Sequence, residues 1–403
     1  MSDDRLAQMI GERVRFYRTA SRRTKAVVAG LAGITPDYLY QIERGQKVPT
    51  VALLTQLAVV LKVSIGELLG GQPEREAKHS KAAASDAIYR ALTSPIMTND
   101  EPPNLRKLRR GVQEAWRIWQ TSPYRYSQLT QQLPALIIDI EAAVRKCQAE
   151  RASTRRAAHG CASDLYGLLR TVTKRLGRID LSLLAADRAI RAAEAADDPL
   201  RLAASHWNMT QVLLADGAPE AAQFVAIKAA ENLQPLMRNG IQHAIALYGS
   251  LILLEAVAAA RNGDSWTARD RVRQAAPLAE KTGECNAYWT AFGPTNVAMY
   301  AVSVEVEAGE AVEGLRLAEQ VEHGRSPSIE RQVAFLVDQA KGNEQRRDFA
   351  SALTLLITAE REAPEDMKYR AGAHNILRAI VQRGRRQVAA EASRLALRIG
   401  LPV

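Results

Sequence analysis

The stretch TKAVVAGLAGITPDYLYQIERG, Thr24–Gly45, has the residues of two short helices joined by a tight turn. Thr24 can cap a first helix, and Thr35 followed by Pro36 is a typical start for a second one. Gly33 lies between them, and glycine enters the positive φ of a tight turn without steric cost. The pattern therefore predicts helix, turn and helix.

The second of these helices has an apolar face and a polar face. Leu39 and Ile42 are three residues apart, so they share one face, which we expect to be buried. The opposite face carries Asp37, Tyr40, Gln41 and Arg44. A short helix that offers polar side chains and an arginine suits the major groove of duplex DNA. An ordinary helical hairpin of an all-α protein is the alternative interpretation.

This segment resembles the helix-turn-helix of the phage-repressor (Cro/C1, or XRE) family. The resemblance is carried by A-x-x-x-G-I-T over residues 29–35, by Y-L-Y-Q-I-E-R-G over 38–45, and by Pro49. Two positions depart from the family pattern: Lys25 stands where glutamine is usual, and Gly30 where a polar helix former is usual. The resemblance implies a DNA-binding domain of five helices, with one helix of the pair reading bases.

Two sets of DNA contacts are expected. Base edges would be read by the polar face of the second helix, through Asp37, Tyr40 and Gln41. Phosphates would be held, without sequence reading, by the basic and polar side chains around the pair: Arg22, Arg23, Lys25, Thr35, Tyr38, Arg44 and Lys47. The formal net charge of +10 for the whole chain suits a polyanionic partner.

The composition predicts an all-α protein of more than one domain. Of 403 residues, 47% are hydrophobic but only 5% aromatic, which favours helix over sheet. Residues 1–70 have the pattern of a complete five-helix domain. Residues 71–104 are predicted to be a linker with one short amphipathic turn, and residues 105–403 to be a second, helical domain that senses an effector and dimerises.

Cysteine usage and hydropathy indicate the compartment. Cys147, Cys161 and Cys285 are scattered and form no C-x-x-C pair, which favours a reducing environment. The N-terminus has no signal-peptide core. The apolar run Ala244–Ala260 contains Ser250 and Glu255, so a buried helix is a better interpretation than a membrane span. We expect a cytoplasmic, nucleoid-associated protein that contacts no membrane and has no cofactor or metal ion.

The second domain contains a loose repeat. Four strong turn signals include Gly177, Gly217, Gly263 and Gly309, at separations of 40, 46 and 46 residues. Ala-rich helices surround each turn, and we expect prolines 199, 235, 277 and 364 to close or follow the second helices. This layout is typical of tetratricopeptide-type (TPR-like) repeats, which stack into an α-solenoid with a concave binding surface. A generic Ala-rich bundle is the alternative.

The chain as a whole resembles the actinomycete-type regulators that join a repressor-like helix-turn-helix to a TPR-like sensor. W-R-I-W-Q-T-S-P over residues 116–123 and F-G-P-T-N-V over 292–297 carry this resemblance. More distantly, it is similar to the peptide-sensing regulators of Gram-positive bacteria. The resemblance implies that an effector, either a peptide or a small molecule, binds the repeats and modulates binding to an operator.

Side chains that can pair with an extended peptide are candidates for the effector site. An amide both donates and accepts hydrogen bonds, and helix-borne tyrosine and arginine on the concave side are natural partners. The candidates are Asn208, Tyr248, Asn296, Tyr300, Arg331 and Asn375. For each of them, a capping or inter-helix hydrogen bond is the competing interpretation.

Two other function classes compete with an effector-controlled regulator. An enzyme is disfavoured because the sequence has no P-loop, dinucleotide fingerprint, H-E-x-x-H or G-x-S-x-G motif, and no catalytic residue is proposed. A DNA-binding protein whose repeats are a protein–protein scaffold is the stronger rival. Whether the repeats bind an effector or a protein partner, we expect a homodimer on an inverted-repeat operator, since two-fold proteins match two-fold sites.

Overall fold

A computed structural model describes residues 3–21, 23–61, 63, 65–69, 85–95 and 102–401. In these residues the chain forms helices joined by short turns, with one isolated antiparallel β-bridge between Cys285 and Phe292. The predicted fold class is confirmed. A repressor-like group of five helices is followed by a long series of helical hairpins.

The five N-terminal helices form a compact unit, here called the head. Leu39 and Ile42 are completely buried in its core, together with Val14 and Leu57. The apolar and polar faces predicted for the second helix of the pair are therefore those observed. The helices of the head are α1 (Asp3–Ala20), α2 (Lys25–Leu31), α3 (Pro36–Glu43), α4 (Val51–Leu61) and α5 (Ile65–Leu68).

The rest of the described chain is the repeat region. Its helices are α6 (residues 85–93), α7 (Leu105–Thr121), α8 (Arg125–Lys146), α9 (Ala152–Arg175), α10 (Ile179–Ala195), α11 (Pro199–Ala215), α12 (Pro219–Arg238), α13 (Gln242–Arg261), α14 (Ser265–Thr282), α15 (Pro294–Glu307), α16 (Ala311–Ala318), α17 (Ile329–Gln345), α18 (Phe349–Glu362), α19 (Ala371–Arg383) and α20 (Arg386–Arg398). Tight turns make consecutive helices antiparallel neighbours.

The repeat turns lie where the sequence places them. The four predicted turn glycines separate α9 from α10, α11 from α12, α13 from α14 and α15 from α16, each with a positive φ. Pro199 begins α11 and Pro364 follows α18, as expected. Pro235 and Pro277 instead lie inside α12 and α14, so the prediction that they close these helices is wrong. Each removes only one backbone donor, and the helix continues beyond it.

Most of the predicted linker, residues 71–104, lies outside the described residues. Helix α6 within it packs Ile88 and Leu92 into the core formed by α7, α8 and α9.

Helix α13 is long and apolar enough to cross a membrane by length and composition, yet 89% of its most apolar window is buried inside the protein. It is the core helix of the repeat region, as predicted for the run Ala244–Ala260.

The head packs on the C-terminal end of the repeat region. Helix α1 lies against α20, and the apolar core of the head is continuous with that of α17–α20. A cavity of about 770 Å³ remains between α1 and the last two helices, lined by Arg15, Arg18 and Arg23 on one side and Gln382, Arg386 and Arg394 on the other. The last repeat and the head are therefore in direct contact.

Candidate DNA-binding head and effector groove

Local capping fixes α3, the second helix of the predicted helix-turn-helix. The hydroxyl of Thr35 accepts a hydrogen bond from the Tyr38 amide at 3.2 Å, and Pro36 occupies the first helical position. Thr24 caps α2 in the same way, through the amide of Val27 at 3.3 Å. Gly33 adopts a φ of +67° in the turn between the helices. These are the caps and the turn that the sequence predicts.

Helix α1 supports α3 through contacts that the sequence analysis missed. A Cβ at Gly11 would lie 2.1 Å from the carbonyl oxygen of Ile42, so only glycine permits this close crossing. Arg18 holds the end of α3 by a bidentate ion pair with Glu43, with Nε–Oε1 at 2.5 Å and Nη2–Oε2 at 3.0 Å. Glu43 is 6% exposed, so this pair orients α3 from its buried side.

The polar face of α3 is exposed and held by internal contacts. Gln41 donates from Nε2 to Asp37 Oδ2 at 3.2 Å. The Tyr40 ring lies between two cations: Lys25 Nζ is 4.3 Å from its centroid, and Arg44 Cζ is 5.6 Å away. Arg44 also donates to the Tyr40 hydroxyl at 3.1 Å. The three side chains predicted to read bases thus share one surface with two of the predicted phosphate ligands.

The other predicted phosphate ligands have different surroundings. Arg23 donates from Nη1 to the Val60 carbonyl oxygen at 2.6 Å, so its guanidinium ties the turn to α4. Thr35 uses its hydroxyl as the α3 cap, and Tyr38 is half-buried against the core of the head. Lys47 is exposed. Arg22 lies outside the described residues.

The repeat region encloses a groove of about 750 Å³, bordered by α9, α11, α13, α15, α17 and the start of α19. Three of the six predicted effector residues, Tyr300, Arg331 and Asn375, line it. Arg331 lies over the Tyr300 ring, with 4.3 Å from Cζ to the ring centroid.

The other three predicted effector residues lie behind the groove wall. Asn208 is 6% exposed and accepts a hydrogen bond from Arg170. Asn296 is 2% exposed and accepts one from Arg331 Nε at 2.9 Å. Tyr248 packs against the apolar core around α13. Asn296 bonds Arg331, a cation that lines the groove, so it acts on the groove through that side chain.

A smaller pocket of about 70 Å³, here called the inner pocket, adjoins the groove. Gln211, Tyr300 and Arg331 line both spaces. The W-R-I-W-Q segment supplies one wall, and the loop before F-G-P-T-N-V supplies another through residues 289–291. One of the two segments that carried the resemblance therefore lines the pocket, and the loop that precedes the other lines it as well.

Comparison with known proteins identifies the head. A helix-turn-helix domain family matches residues 10–69. The HTH-type transcriptional regulator SinR of Bacillus subtilis (strain 168) is 36% identical over 90 residues, which are 22% of this chain and 81% of SinR. The chain belongs to the helix-turn-helix transcriptional regulators. The transcriptional regulator ClgR of Mycobacterium tuberculosis is 29% identical over 89 residues, 22% of this chain and 80% of ClgR.

Two solved structures match the chain at low sequence identity. Aspartyl phosphate phosphatase F from Bacillus subtilis has a TM-score of 0.42 and 12% identity, covering 93% of this chain and 96% of the phosphatase. Bacillus thuringiensis PlcR, in complex with the peptide PapR7 and DNA, has a TM-score of 0.30 and 13% identity, covering 68% of this chain and 95% of PlcR.

A buried ionic network closes one end of the regulator's groove. Arg125, which is fully buried, donates to Asp366 Oδ1 at 2.5 Å, and the Tyr126 hydroxyl donates to the same oxygen at 2.7 Å. Arg370 bonds the other Asp366 oxygen. Burial by itself would raise the pKa of Asp366, but Arg370 and Arg125 outweigh it and lower that pKa. The network anchors Arg370, which lies next to α19, at the edge of the groove.

The described residues contain no group of three or more His, Cys, Asp or Glu side chains placed to hold a metal ion. Cys161 is buried, and Asp164 accepts two hydrogen bonds from Arg201, at 2.9 and 3.1 Å.

Proposed function

We propose that this transcriptional regulator binds an effector, a short peptide or a small molecule, in the groove of its repeat region, and that binding changes its affinity for an operator. The observation that carries the proposal is the placement of α19. One end of this helix lines the groove, and the other end lies beside the recognition helix.

The two ends of α19 line different cavities. At its beginning, Asn375 and Ile376 line the groove together with Arg370. At its end, Gln382 lines a second cavity, of about 390 Å³, with Tyr40 and Arg44 of the head. A helix of 13 residues spans about 20 Å at 1.5 Å per residue. A rigid helix of this length transmits a displacement at the groove to the DNA-contacting surface.

Coupling between the effector site and the DNA-binding surface is reciprocal. If the effector changes operator affinity tenfold, about 1.4 kcal/mol, the operator must change effector affinity by the same factor. An effector that contacts Asn375 or Ile376 differently in two positions of α19 shifts the population of those positions. Gln382 then moves relative to Arg44, and the surface offered to DNA changes.

On DNA, we propose that α3 enters the major groove. Asp37, Tyr40 and Gln41 would contact base edges, and the Asp37–Gln41 hydrogen bond would be exchanged for bonds to bases, since glutamine pairs well with adenine. Lys25, Arg44 and Lys47 would hold phosphates, with Thr35 and Tyr38 beside them. The exposed face of α3 and the two cations around Tyr40 support this arrangement.

We further propose that the active species is a homodimer on an inverted repeat, acting at the nucleoid. One head can contact only a short half-site, and two-fold symmetry of protein and operator would place the heads about 34–36 Å apart. Residues 1–70 would form the DNA-binding domain, 71–104 a linker, and 105–403 the sensing and dimerising domain. Sedimentation of the full chain, alone and with selected DNA, tests the dimer.

The deciding experiment measures operator affinity of the full chain with and without concentrated culture supernatant or cell extract, on DNA selected from a random pool. A reproducible change in affinity is expected, and it should disappear after the extract is depleted with immobilised regulator. A protein–protein scaffold is the rival function. It would be supported if no extract changes the affinity and if affinity capture on the full chain recovers a stoichiometric protein partner.

A further inference from the structure

We propose that Arg170, Lys174 and Arg331 form an anion-binding subsite where the groove meets the inner pocket, and that the effector carries a carboxylate or a similar oxyanion that binds there. This inference rests on the proposed function of the groove. It adds the chemical class of the ligand and the residues that select it.

The three cations are bonded to neutral amides. Arg170 Nη1 and Lys174 Nζ donate to the same oxygen, Oε1 of Gln211, at 3.3 and 3.2 Å. Arg331 donates from Nε to the oxygen of Asn296 at 2.9 Å. Within the described residues, no carboxylate lies within 4.0 Å of any of these cationic groups. A buried cation is usually paired, because an uncompensated charge away from water is unfavourable.

Other cations of the same groove do have carboxylate partners. Arg175 pairs with Glu330 at 2.5 Å, and Lys341 pairs with Glu307 at 3.0 Å. Arg370 pairs with Asp366. Arg170, Lys174 and Arg331 are bonded to amides instead, and the nearby carboxylates of Asp338 and Glu330 act on them from beyond 4.0 Å.

Part of the donor capacity of these cations is unused. Arg170 is 1% exposed, and its Nε has no hydrogen-bond partner; neither has Nη2 of Arg331, which is also buried. Burial lowers the pKa of Arg170 to about 9. Burial, together with the neighbouring charges of Arg170 and Arg175, lowers the pKa of Lys174 as well. An anion would compensate these charges and accept from the free donors.

The surroundings have the features of a binding site. Trp289 and Ala291, in the wall of the inner pocket, adopt φ values of +60° and +53°, and Tyr288 before them has +49°. Such conformations are unfavourable for residues other than glycine and are concentrated at functional sites. The volume of about 70 Å³ exceeds the ~10–15 Å³ needed for one water, so a carboxylate or phosphate group fits.

The expected ligand places an anionic end at the subsite and its body in the groove. Guanidinium groups bind planar carboxylates through paired hydrogen bonds, whereas Lys174 adds a point charge. Both the C-terminal carboxylate of a short peptide and the acid group of a small molecule have this chemistry. Glu330, held by Arg175, would repel an anion placed deeper in the pocket, so the anion is expected near Gln211.

Tryptophan fluorescence can report on the subsite directly. Four of the five tryptophans of the chain line the inner pocket, and the fifth, Trp266, is exposed on α14. The full chain is titrated with citrate and, separately, with pyrophosphate at constant ionic strength. We expect a saturable fluorescence change. Lys174→Met and Arg331→Gln should each weaken it about tenfold or more, as for loss of a charge-assisted hydrogen bond.

Lys341→Gln is the matched control, because it removes a cation that lines the same groove but is already paired. Equal affinity of wild type, Lys174→Met and Arg331→Gln for both anions, with near-native thermal stability, would overturn the subsite. So would an equal loss in Lys341→Gln, because it would indicate only the general field of the groove. Arg170→Gln keeps a polar side chain at the buried position, and its folding is checked by circular dichroism.

The operator assay separates this inference from the proposed function. If extract changes operator affinity equally in wild type and in Lys174→Met with Arg331→Gln, the groove function stands and the anionic ligand is wrong. If wild type does not respond to any extract, the proposed function fails, and the anion titration still decides the subsite. A pool of random heptapeptides with free C-termini, compared with the same pool amidated, distinguishes a peptide carboxylate from a small-molecule acid.

Discussion

The ring of Trp116 lies flat on the ring of Trp289, with centroids 4.5 Å apart and planes inclined by only 3°. Trp116 is in the middle of α7, whereas Trp289 belongs to the strained loop between α14 and α15. One helix turn further along α7, Gln120 and Asn286 exchange amide hydrogen bonds at 2.6 and 3.3 Å. Helix α7 therefore holds the loop in its unfavourable conformation.

Gln120→Ala is expected to release that loop. Gln120 is 5% exposed and also donates to the Trp289 carbonyl oxygen at 3.1 Å. Its removal takes away the bonds with Asn286, which is exposed and can bond water instead, and the bond to the Trp289 carbonyl oxygen, so we expect a loss of about 0.5–1.5 kcal/mol in unfolding free energy. Urea unfolding measures the loss, and hydrogen exchange should show faster exchange over residues 286–292. The exposed Gln128→Ala should stay within about 0.5 kcal/mol of wild type; slow exchange in the Gln120 variant would contradict the prediction.

Gln41→Ala is expected to reduce sequence preference more than general DNA affinity. A good bidentate contact to a base contributes about 1–3 kcal/mol of discrimination. The variant also loses the hydrogen bond to Asp37. This bond is exposed, so we expect little change in the free energy of unfolding. Competition between selected operator and random duplex measures the ratio of affinities. An equal loss on both DNAs would show that Gln41 does not read bases.

The basic residues of the head should divide into two classes. Lys47→Gln should lower the slope of log affinity against log salt by about 1, because one phosphate contact is lost. Arg23→Gln should leave the slope unchanged and instead lower stability by about 1–3 kcal/mol, since its guanidinium bonds the Val60 carbonyl oxygen. Salt titrations and urea unfolding of both variants distinguish the classes. A lower slope in Arg23→Gln would instead mean that Arg23 contacts a phosphate.

Local signals explain what the sequence predicts correctly. The caps Thr24 and Thr35 and the turn at Gly33 depend only on neighbouring residues, so they are readable without a structure. The roles of Asn208 and Asn296 depend on partners 38 and 35 residues away, on other helices. The sequence identifies such amides as hydrogen-bonding groups but does not reveal which cation donates a hydrogen bond to each of them.

The same distinction applies to the charges. Arg23 lies near the helix pair in the sequence, which predicts a phosphate ligand, yet its guanidinium bonds the Val60 carbonyl oxygen of α4. The sequence does not predict a site at Arg170 and Lys174, since two cations four residues apart on a helix usually face solvent. Only the packing of α11 brings the oxygen of Gln211 to both of them. Burial of charge is a property of the assembled repeats.

Asp366→Asn is expected to destabilise the repeat region by about 3–5 kcal/mol, because Arg125 and Arg370 lose the counter-charge of a buried network. The pKa of Asp366 is lowered in the folded protein. Its stabilisation is therefore complete above the unfolded pKa of about 3.9 and is lost as pH falls through the lower folded pKa. Thermal unfolding across pH should show a weaker acid dependence in the variant. Asp187→Asn, in an exposed pair, is the control.

Gln382→Glu tests the contact between the repeats and the recognition helix. Gln382 is exposed at the end of α19 and lines one cavity with Lys25, Tyr40 and Arg44. A carboxylate there would compete with phosphates for these cations, so operator affinity without effector should fall several-fold, and more at low salt. Gln132→Glu makes the same change on α8, which packs on α7 and α9, and should have little effect. Unchanged operator affinity in Gln382→Glu would mean that α19 does not approach the head when DNA is bound, and the proposed route from groove to operator would then be wrong.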